Sequence, residues 1–237
     1  MATAYGPKII TDNLLLLLDA GNIKSYPGSG TIWYDLSNNG NNFNIVSGAY
    51  NSNGYMDFNG SYGIAKNSSN ISLSDSTGVT YHLVTRIKNS SADWRTLTRA
   101  YNPGDHHVII ASGGWEIGMY DNEGAGFLGT GYQQTSLPNY NTTNWIQMYW
   151  RWQSSSPYYQ FSFNDSPGAI RGSITNSSSR YNRGFGAIGG YHNENTDPTS
   201  ASQFWGDISY FAVYNRFLND SELLQNYNAL KGRYNLL

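Results

Sequence analysis

The chain contains no cysteine, so neither disulfides nor thiolate metal sites are available to it. Charge is sparse too: Asp, Glu, Lys and Arg make up 13% of its 237 residues, and 14 basic against 16 acidic side chains leave a net charge of −2. The basic residues are scattered along the chain, which removes the clustered footprint expected of a nucleic-acid binder. Long apolar runs are missing as well. Leu14 to Leu18 is closed at once by Asp19, far short of the roughly 18 apolar residues that a membrane span needs, so no membrane insertion is expected. The opening MATAYGPKII has no basic stretch, apolar core and small-residue cleavage site in succession. The expectation is a protein without a signal peptide, made in the cytoplasm.

Residues suited to catalysis are also few. Glycoside hydrolysis needs two carboxylates flanking the scissile bond, and the chain has four glutamates, Glu116, Glu123, Glu194 and Glu222. The nearest approach to a pair is Glu116 with Asp121, whose five-residue offset sends them to opposite faces of a regular strand. Four histidines, His82, His106, His107 and His192, form no helical H-x-x-x-H pair, and no G-x-S-x-G elbow occurs. His106 and His107 follow Asn-Pro-Gly-Asp and read as solvated residues of a turn. These absences lead to the expectation that the chain is not an enzyme and carries no catalytic residues.

What is abundant is the vocabulary of strands and turns. Aromatic residues reach 15%, with 20 Tyr and 7 Trp, and there are 26 Gly, alongside frequent Asn and Ser. A composition this rich in aromatics and poor in charge folds. Val79 to Lys88 alternates, with Val79, Tyr81, Leu83, Thr85 and Ile87 on one face and His82, Val84 and Arg86 on the other, as a half-buried strand does. Trp145 to Gln153 and Tyr158 to Asn164 read as neighbouring strands. Trp33, Trp145, Trp150 and Trp205 sit within strand patterns and are expected in the core. Near the C-terminus an alternating run (Ile208, Tyr210, Ala212, Tyr214) passes into Asn219-x-x-Glu222, an N-cap with its capping box. Leu223, Leu224, Tyr227 and Leu230 then lie on one helical face, and Gly232 stands where a C-terminal cap is expected. About a dozen short strands with one closing helix predict an all-β, two-sheet antiparallel sandwich. Residues 1–12 form an extended arm and 13–237 a single domain.

Two segments carry a resemblance. The opening L-L-L-L-L-D-A-G-N-I-K-S-Y-P-G-S-G-T-I-W-Y-D-L-S-N-N-G-N-N and the closing W-G-D-I-S-Y-F-A-V-Y-N-R-F-L-N-D-S-E-L together resemble the laminin G-like branch of the concanavalin A-type jelly rolls. The lead-in G-P-K-I-I-T-D resembles the version of that domain found in structural proteins of tailed bacteriophages. The resemblance implies a jelly-roll sandwich with one short C-terminal helix. It further implies a non-enzymatic virion component, on the capsid surface or in a tail fibre, displaying a lectin-like domain to host-surface glycans. Its partners would be other virion proteins and host polysaccharide, with symmetric self-association expected on general grounds. The alternative is a free carbohydrate-binding lectin, or a carbohydrate-binding module of an exported polysaccharide-active protein.

Sugar recognition calls for aromatic faces, and the loop tyrosines Tyr101, Tyr132, Tyr158, Tyr181 and Tyr191 are the candidates; the same residues would serve equally as protein-contact anchors. No cofactor is implied by a motif. Relatives of this fold hold Ca²⁺ at a loop end, for which Asp121, Glu123 and Asp197 are the candidate ligands. Asp35 and the Asn215-Arg216 pair read as turn-builders of the fold, with Arg216 clamping the terminal helix.

Overall fold

The computed structural model describes residues 7–59, 65–73, 77–88, 95–99, 106–111, 116–119, 133–136, 143–153, 159–163, 173–174, 185–190 and 204–236. Strands are numbered along the chain. One eight-stranded antiparallel sheet contains β1 (Leu14–Asp19), β4 (Ala49–Asn51), β5 (Tyr55–Asn59), β7 (Gly78–Ile87), β12 (Ile146–Gln153), β13 (Tyr159–Phe163), β14 (Ser173–Ile174) and β16 (Trp205–Tyr214), in the order β14-β13-β12-β7-β16-β5-β4 with β1 also on β16. The second contains β2 (Ile32–Trp33), β3 (Phe43–Ile45), β6 (Ala65–Ile71), β8 (Arg95–Arg99), β9 (His106–Ala111), β10 (Glu116–Met119), β11 (Gln133–Ser136) and β15 (Phe185–Ile188), in the order β11-β10-β9-β8-β15-β6-β3-β2. The expected all-β sandwich is present, closed by one helix, α1 (Asp220–Tyr234). His106 and His107 are strand residues of β9, not the turn expected from the preceding Asn-Pro-Gly-Asp.

The main core lies on one face of the first sheet and follows strand alternation. From β7 it takes Val79, Tyr81, Leu83 and Ile87, from β12 Met148, Trp150 and Trp152, and from β16 Ile208, Phe211 and Val213; Trp33, Phe43, Leu97 and Ile188 come from the second sheet and its flanks. Tyr81 and Trp150 are directly paired across β7 and β12, with ring centroids 4.4 Å apart. Each such side chain, taken fully out of water, contributes about 1.5–3 kcal/mol.

The opposite face of β7 was expected to meet solvent, yet His82 and Val84 are buried there as well. The reason is α1, which lies over this face with Leu223, Leu230 and Tyr234 against Val84, Tyr149, Tyr210 and Tyr214. A sandwich sheet covered on both faces loses the polar side that alternation alone predicts. Residues 7–13 then strap the helix: Ile10 N–H donates to Asn226 Oδ1 (2.7 Å), Tyr214 donates to the Ile10 carbonyl (3.0 Å), and Gln225 donates to the Lys8 carbonyl (2.8 Å).

The helix starts as its sequence predicts. Asn219 Oδ1 accepts the Glu222 N–H at 3.0 Å, and Glu222 accepts the Asn219 N–H at 2.8 Å, satisfying two donors that a helix start leaves open. Arg216 clamps this turn through both Glu222 oxygens (2.8 and 2.7 Å). The helix ends later than expected. Gly232 is helical, and the cap is Asn235 at φ 50°, ψ 44°, a left-handed conformation that asparagine tolerates. Two further residues in the helix bring Tyr234 onto the sheet. Leu224, expected on the apolar stripe, is 47% exposed; buried Asn226 takes that face instead because it bonds both Ile10 and Tyr214.

Asp35 is the turn-builder it was read to be. Its two oxygens accept the backbone N–H groups of Leu17 (2.9 Å), Ser37 (2.8 Å) and Asn41 (3.0 Å), which fastens the loop after β2 to β1.

Candidate functional site

A cleft of about 340 Å³ opens on the helix-covered face of the first sheet, within the size range of small-ligand pockets, about 300–1,000 Å³. It forms where the neighbour of β16 changes. Trp205 to Ile208 pair with β5, whereas Tyr210 to Tyr214 pair with β1, and the register with β7 shifts between Ile208 and Tyr210. Ser209 stands at that junction. Its carbonyl accepts the Ala20 N–H (2.8 Å), its hydroxyl donates to the Gly54 carbonyl (2.5 Å), and its oxygen lies 3.0 Å from the Tyr234 hydroxyl. The turn leaving β1 and the turn entering β5 therefore meet beside α1. Gly54 makes this approach with φ +86°, and a Cβ on it would sit 2.8 Å from the Gly21 Cα; no other residue type fits both conditions.

Three aromatic rings line the cleft. Tyr55 begins β5, Trp145 immediately precedes β12, and Tyr234 ends α1. The Trp145 ring centroid is 5.5 Å from that of Tyr55, nearly edge-on, and 5.8 Å from that of Tyr234. Trp145 and Tyr55 keep part of their surface exposed. Trp33 and Trp150 are buried as expected, whereas Trp145 and Trp205, also expected in the core, are half-buried; Trp145 packs against the helix-side core from its place just before β12.

Two arginines frame the rings. The Arg86 guanidinium lies 5.3 Å from the Tyr55 centroid and 5.1 Å from that of Trp145, and that of Arg233 lies 4.9 Å from Tyr234, within cation–π range. Arg86 donates to Asp207 Oδ2 through Nε (2.7 Å) and Nη2 (2.5 Å), and Lys88 reaches the other Asp207 oxygen at 2.8 Å and Asp57 at 3.1 Å. Partial burial works against the Arg86 charge, and the Asp207 carboxylate outweighs it, so the guanidinium is held above its ordinary range. Arg233 makes a two-pronged pair with Asp19, 2.6 Å on each side, and that pair raises its pKa too. Burial, with Asp19 nearby, pushes the Tyr234 hydroxyl up to about 12, so it stays a neutral donor. Asn53 and Asn235 complete the rim and are exposed.

None of the candidates singled out in the sequence is among these residues. Tyr101, Tyr132, Tyr158, Tyr181 and Tyr191, and the Ca²⁺ candidates Asp121, Glu123 and Asp197, lie outside the described residues. Among the described residues no group of three or more His, Asp or Glu side chains could hold a metal ion, and no helix is long and apolar enough to cross a membrane. The cleft residues come from five separate stretches of chain, so no single segment of sequence marks them. One signal was available: Arg86 follows His82 and Val84 on the same alternating face, and Trp145 precedes Gln147 and Tyr149 in the same way, which sets both on one side of a paired β7 and β12.

The fold is a two-sheet antiparallel β-sandwich with one C-terminal helix. No protein-family model matches the chain, and no curated protein matches it in sequence. Solved structures do. A Trypanosoma rangeli sialidase in complex with 2,3-difluoro-KDN superposes with a TM-score of 0.67 at 13% identity, over 98% of this chain and 36% of the sialidase. A mutant of that sialidase displaying trans-sialidase activity gives 0.65 at 13% identity, over 95% of this chain and 34% of the other. The heptameric SAP-like pentraxin of Limulus polyphemus gives 0.51 at 12% identity, over 68% of this chain and 73% of the pentraxin. The chain thus spans about a third of the length of the sialidases it matches.

These neighbours correct the expectation that the chain is not an enzyme. That expectation rested on missing catalytic motifs, and the structures that match nearly the whole chain are parts of sialidases. At this identity the likeness is one of fold, and no reaction passes to this chain with it. The sandwich fold implied by the resemblance is shared with these neighbours, and none of them links the chain to a bacteriophage particle.

Proposed function

We propose that this chain is a carbohydrate-binding β-sandwich and that the cleft between α1 and the first sheet holds the glycan. The observation that carries this is the cleft's lining: the rings of Tyr55, Trp145 and Tyr234 grouped in about 340 Å³, with the amides of Asn53 and Asn235 at the rim. A pyranose has an apolar face of C–H bonds and an equator of hydroxyls. The partly exposed rings of Tyr55 and Trp145, backed by the buried Tyr234, offer the first a surface, and amides that both donate and accept serve the second. The rings are held in place by packing and by the Arg86 and Arg233 ion pairs, so little is lost in ordering them when a sugar binds. The fold adds support, since it is shared with sialidases, one of them solved with sialic acid bound.

Titration calorimetry against a panel of bacterial and algal oligosaccharides tests this reading. Binding is expected for the intact chain, and Trp145→Ala should weaken it at least about tenfold, roughly 1.4 kcal/mol, with an unchanged circular dichroism spectrum. A Trp145→Ala protein that binds as well as the intact one would remove the cleft from the account.

The bacteriophage lead-in, G-P-K-I-I-T-D, favours a second reading in which this sandwich is displayed on a virion and meets host-surface glycan there. That reading would place other virion proteins against the chain, and it uses the same cleft.

A further inference from the structure

The charges around the cleft bear on which sugars it accepts. Three cations, Arg86, Lys88 and Arg233, stand beside it or just behind it, and three carboxylates, Asp19, Asp57 and Asp207, are bonded to them. Asp207 is wholly buried and cannot swing aside to yield Arg86 to a ligand. Arg233 is held by two bonds of 2.6 Å to Asp19. Asp19 is fixed in turn, because its Oδ1 accepts the Gly21 N–H at 3.1 Å and its residue is 8% exposed. An incoming carboxylate would have to compete with an internal one that is already aligned, at a site of no net charge, after giving up its own hydration. The arginines therefore act as scaffolding for the aromatic rings, with their guanidiniums 4.9–5.3 Å from the ring centres of Tyr55, Trp145 and Tyr234, and not as anion receptors.

Among the described residues of the cleft, what remains open to a ligand is uncharged. The ring faces are apolar, and the side-chain amides of Asn53 and Asn235 make no hydrogen bond to the described residues. From this balance we infer that the cleft selects a neutral glycan, a hexopyranose stacked on Trp145 and Tyr55 with hydroxyls on the two amides, and discriminates against sugars carrying a carboxylate. This rests on the cleft being the sugar site. It separates the chain's specificity from the sialic acid seen in a sialidase that shares its fold.

The test compares matched oligosaccharides that differ in one group: neutral glucose, galactose and mannose oligomers, and their uronic acid counterparts with the exocyclic CH₂OH replaced by carboxylate. Sialylated oligosaccharides form a third arm, and all are titrated at low and high salt. The neutral member of each pair should bind at least about fivefold more tightly, with an affinity that salt leaves unchanged. In Asp19→Asn, which removes the carboxylate facing Arg233, the preference should shrink or reverse. Tighter binding of the uronic or sialic members, weakening as salt rises, would overturn the inference while leaving the cleft as a sugar site. Failure of every member to bind would overturn the inference and the sugar-binding reading together.

Discussion

Lowering the pH from 7 to 4.5 should destabilise this protein through one side chain, His82. The imidazole lies inside the sheet–helix layer, stacked on Tyr149 at 4.4 Å and beside Tyr210 at 4.9 Å. Neither of its ring nitrogens has a hydrogen-bond partner of good geometry. Burial away from water disfavours the charged ring, and although nearby Gln147 works in the other direction, the pKa falls from 6.5 to about 3. Between those two values the unfolded chain holds the proton and the folded chain does not. Stability therefore rises with pH across the window and is flat above it. At 1.36 kcal/mol per unit of pKa, the loss at pH 4.5 is roughly 3 kcal/mol, a large share of a typical domain's stability. The comparison is His82→Phe, which places an apolar ring between the same two tyrosines and cannot titrate. Urea unfolding followed by tryptophan fluorescence at pH 7, 5.5 and 4.5 would give the pH dependence of both proteins, and the carboxylates common to both cancel in the difference. The variant should be nearly as stable as the parent at pH 7 and retain roughly 3 kcal/mol more at pH 4.5. Equal pH slopes for the two proteins would show that His82 takes up no proton on unfolding and is not the source of the acid sensitivity.

The ion pairs and turns around the cleft set three further outcomes. Asp207→Asn leaves Arg86 and Lys88 facing a neutral amide at a fully buried site; it should cost about 2–3 kcal/mol in chemical denaturation, less than the roughly 3–5 kcal/mol of a fully buried pair, because both cations are partly exposed. The glycines of the meeting turns should separate fold from site. In Gly21→Ala the new methyl overlaps only the Arg233 Nη2 end, so the melting temperature should move by a few degrees at most while sugar affinity falls several-fold. In Gly54→Ala the methyl meets the Gly21 backbone at a left-handed φ of +86°, and a loss of about 2 kcal/mol or more in the same denaturation assay is expected.

How far the chain could be read ahead of its structure depended on how local each signal was. Asn219 and Glu222 lie three residues apart, and their reciprocal capping needs no information from elsewhere in the chain. The alternation of Val79, Tyr81, Leu83 and Ile87 is local in the same sense. It gave the right core face and the wrong exposure for the other, because α1, more than 130 residues on, covers His82 and Val84. The helix's end went the same way: glycine is the usual cap, but burying Tyr234 beside Trp145 carried the helix past Gly232 to Asn235. The cleft is the least local feature. Tyr55, Arg86, Trp145, Ser209 and Tyr234 converge because β16 exchanges β5 for β1 at Ser209, and strand order across a sheet is not written in any one segment. Loop composition, which points to tyrosines such as Tyr101 and Tyr191, carries no such constraint.

The most direct measurement is a crystal structure of the chain with a neutral oligosaccharide soaked in at saturating concentration. One sugar ring is expected against Trp145 and Tyr55, its hydroxyls bonded to Asn53 and Asn235, with the Arg86–Asp207 and Arg233–Asp19 pairs intact. An empty cleft, or a sugar bound elsewhere on the molecule, would contradict the cleft as the sugar site.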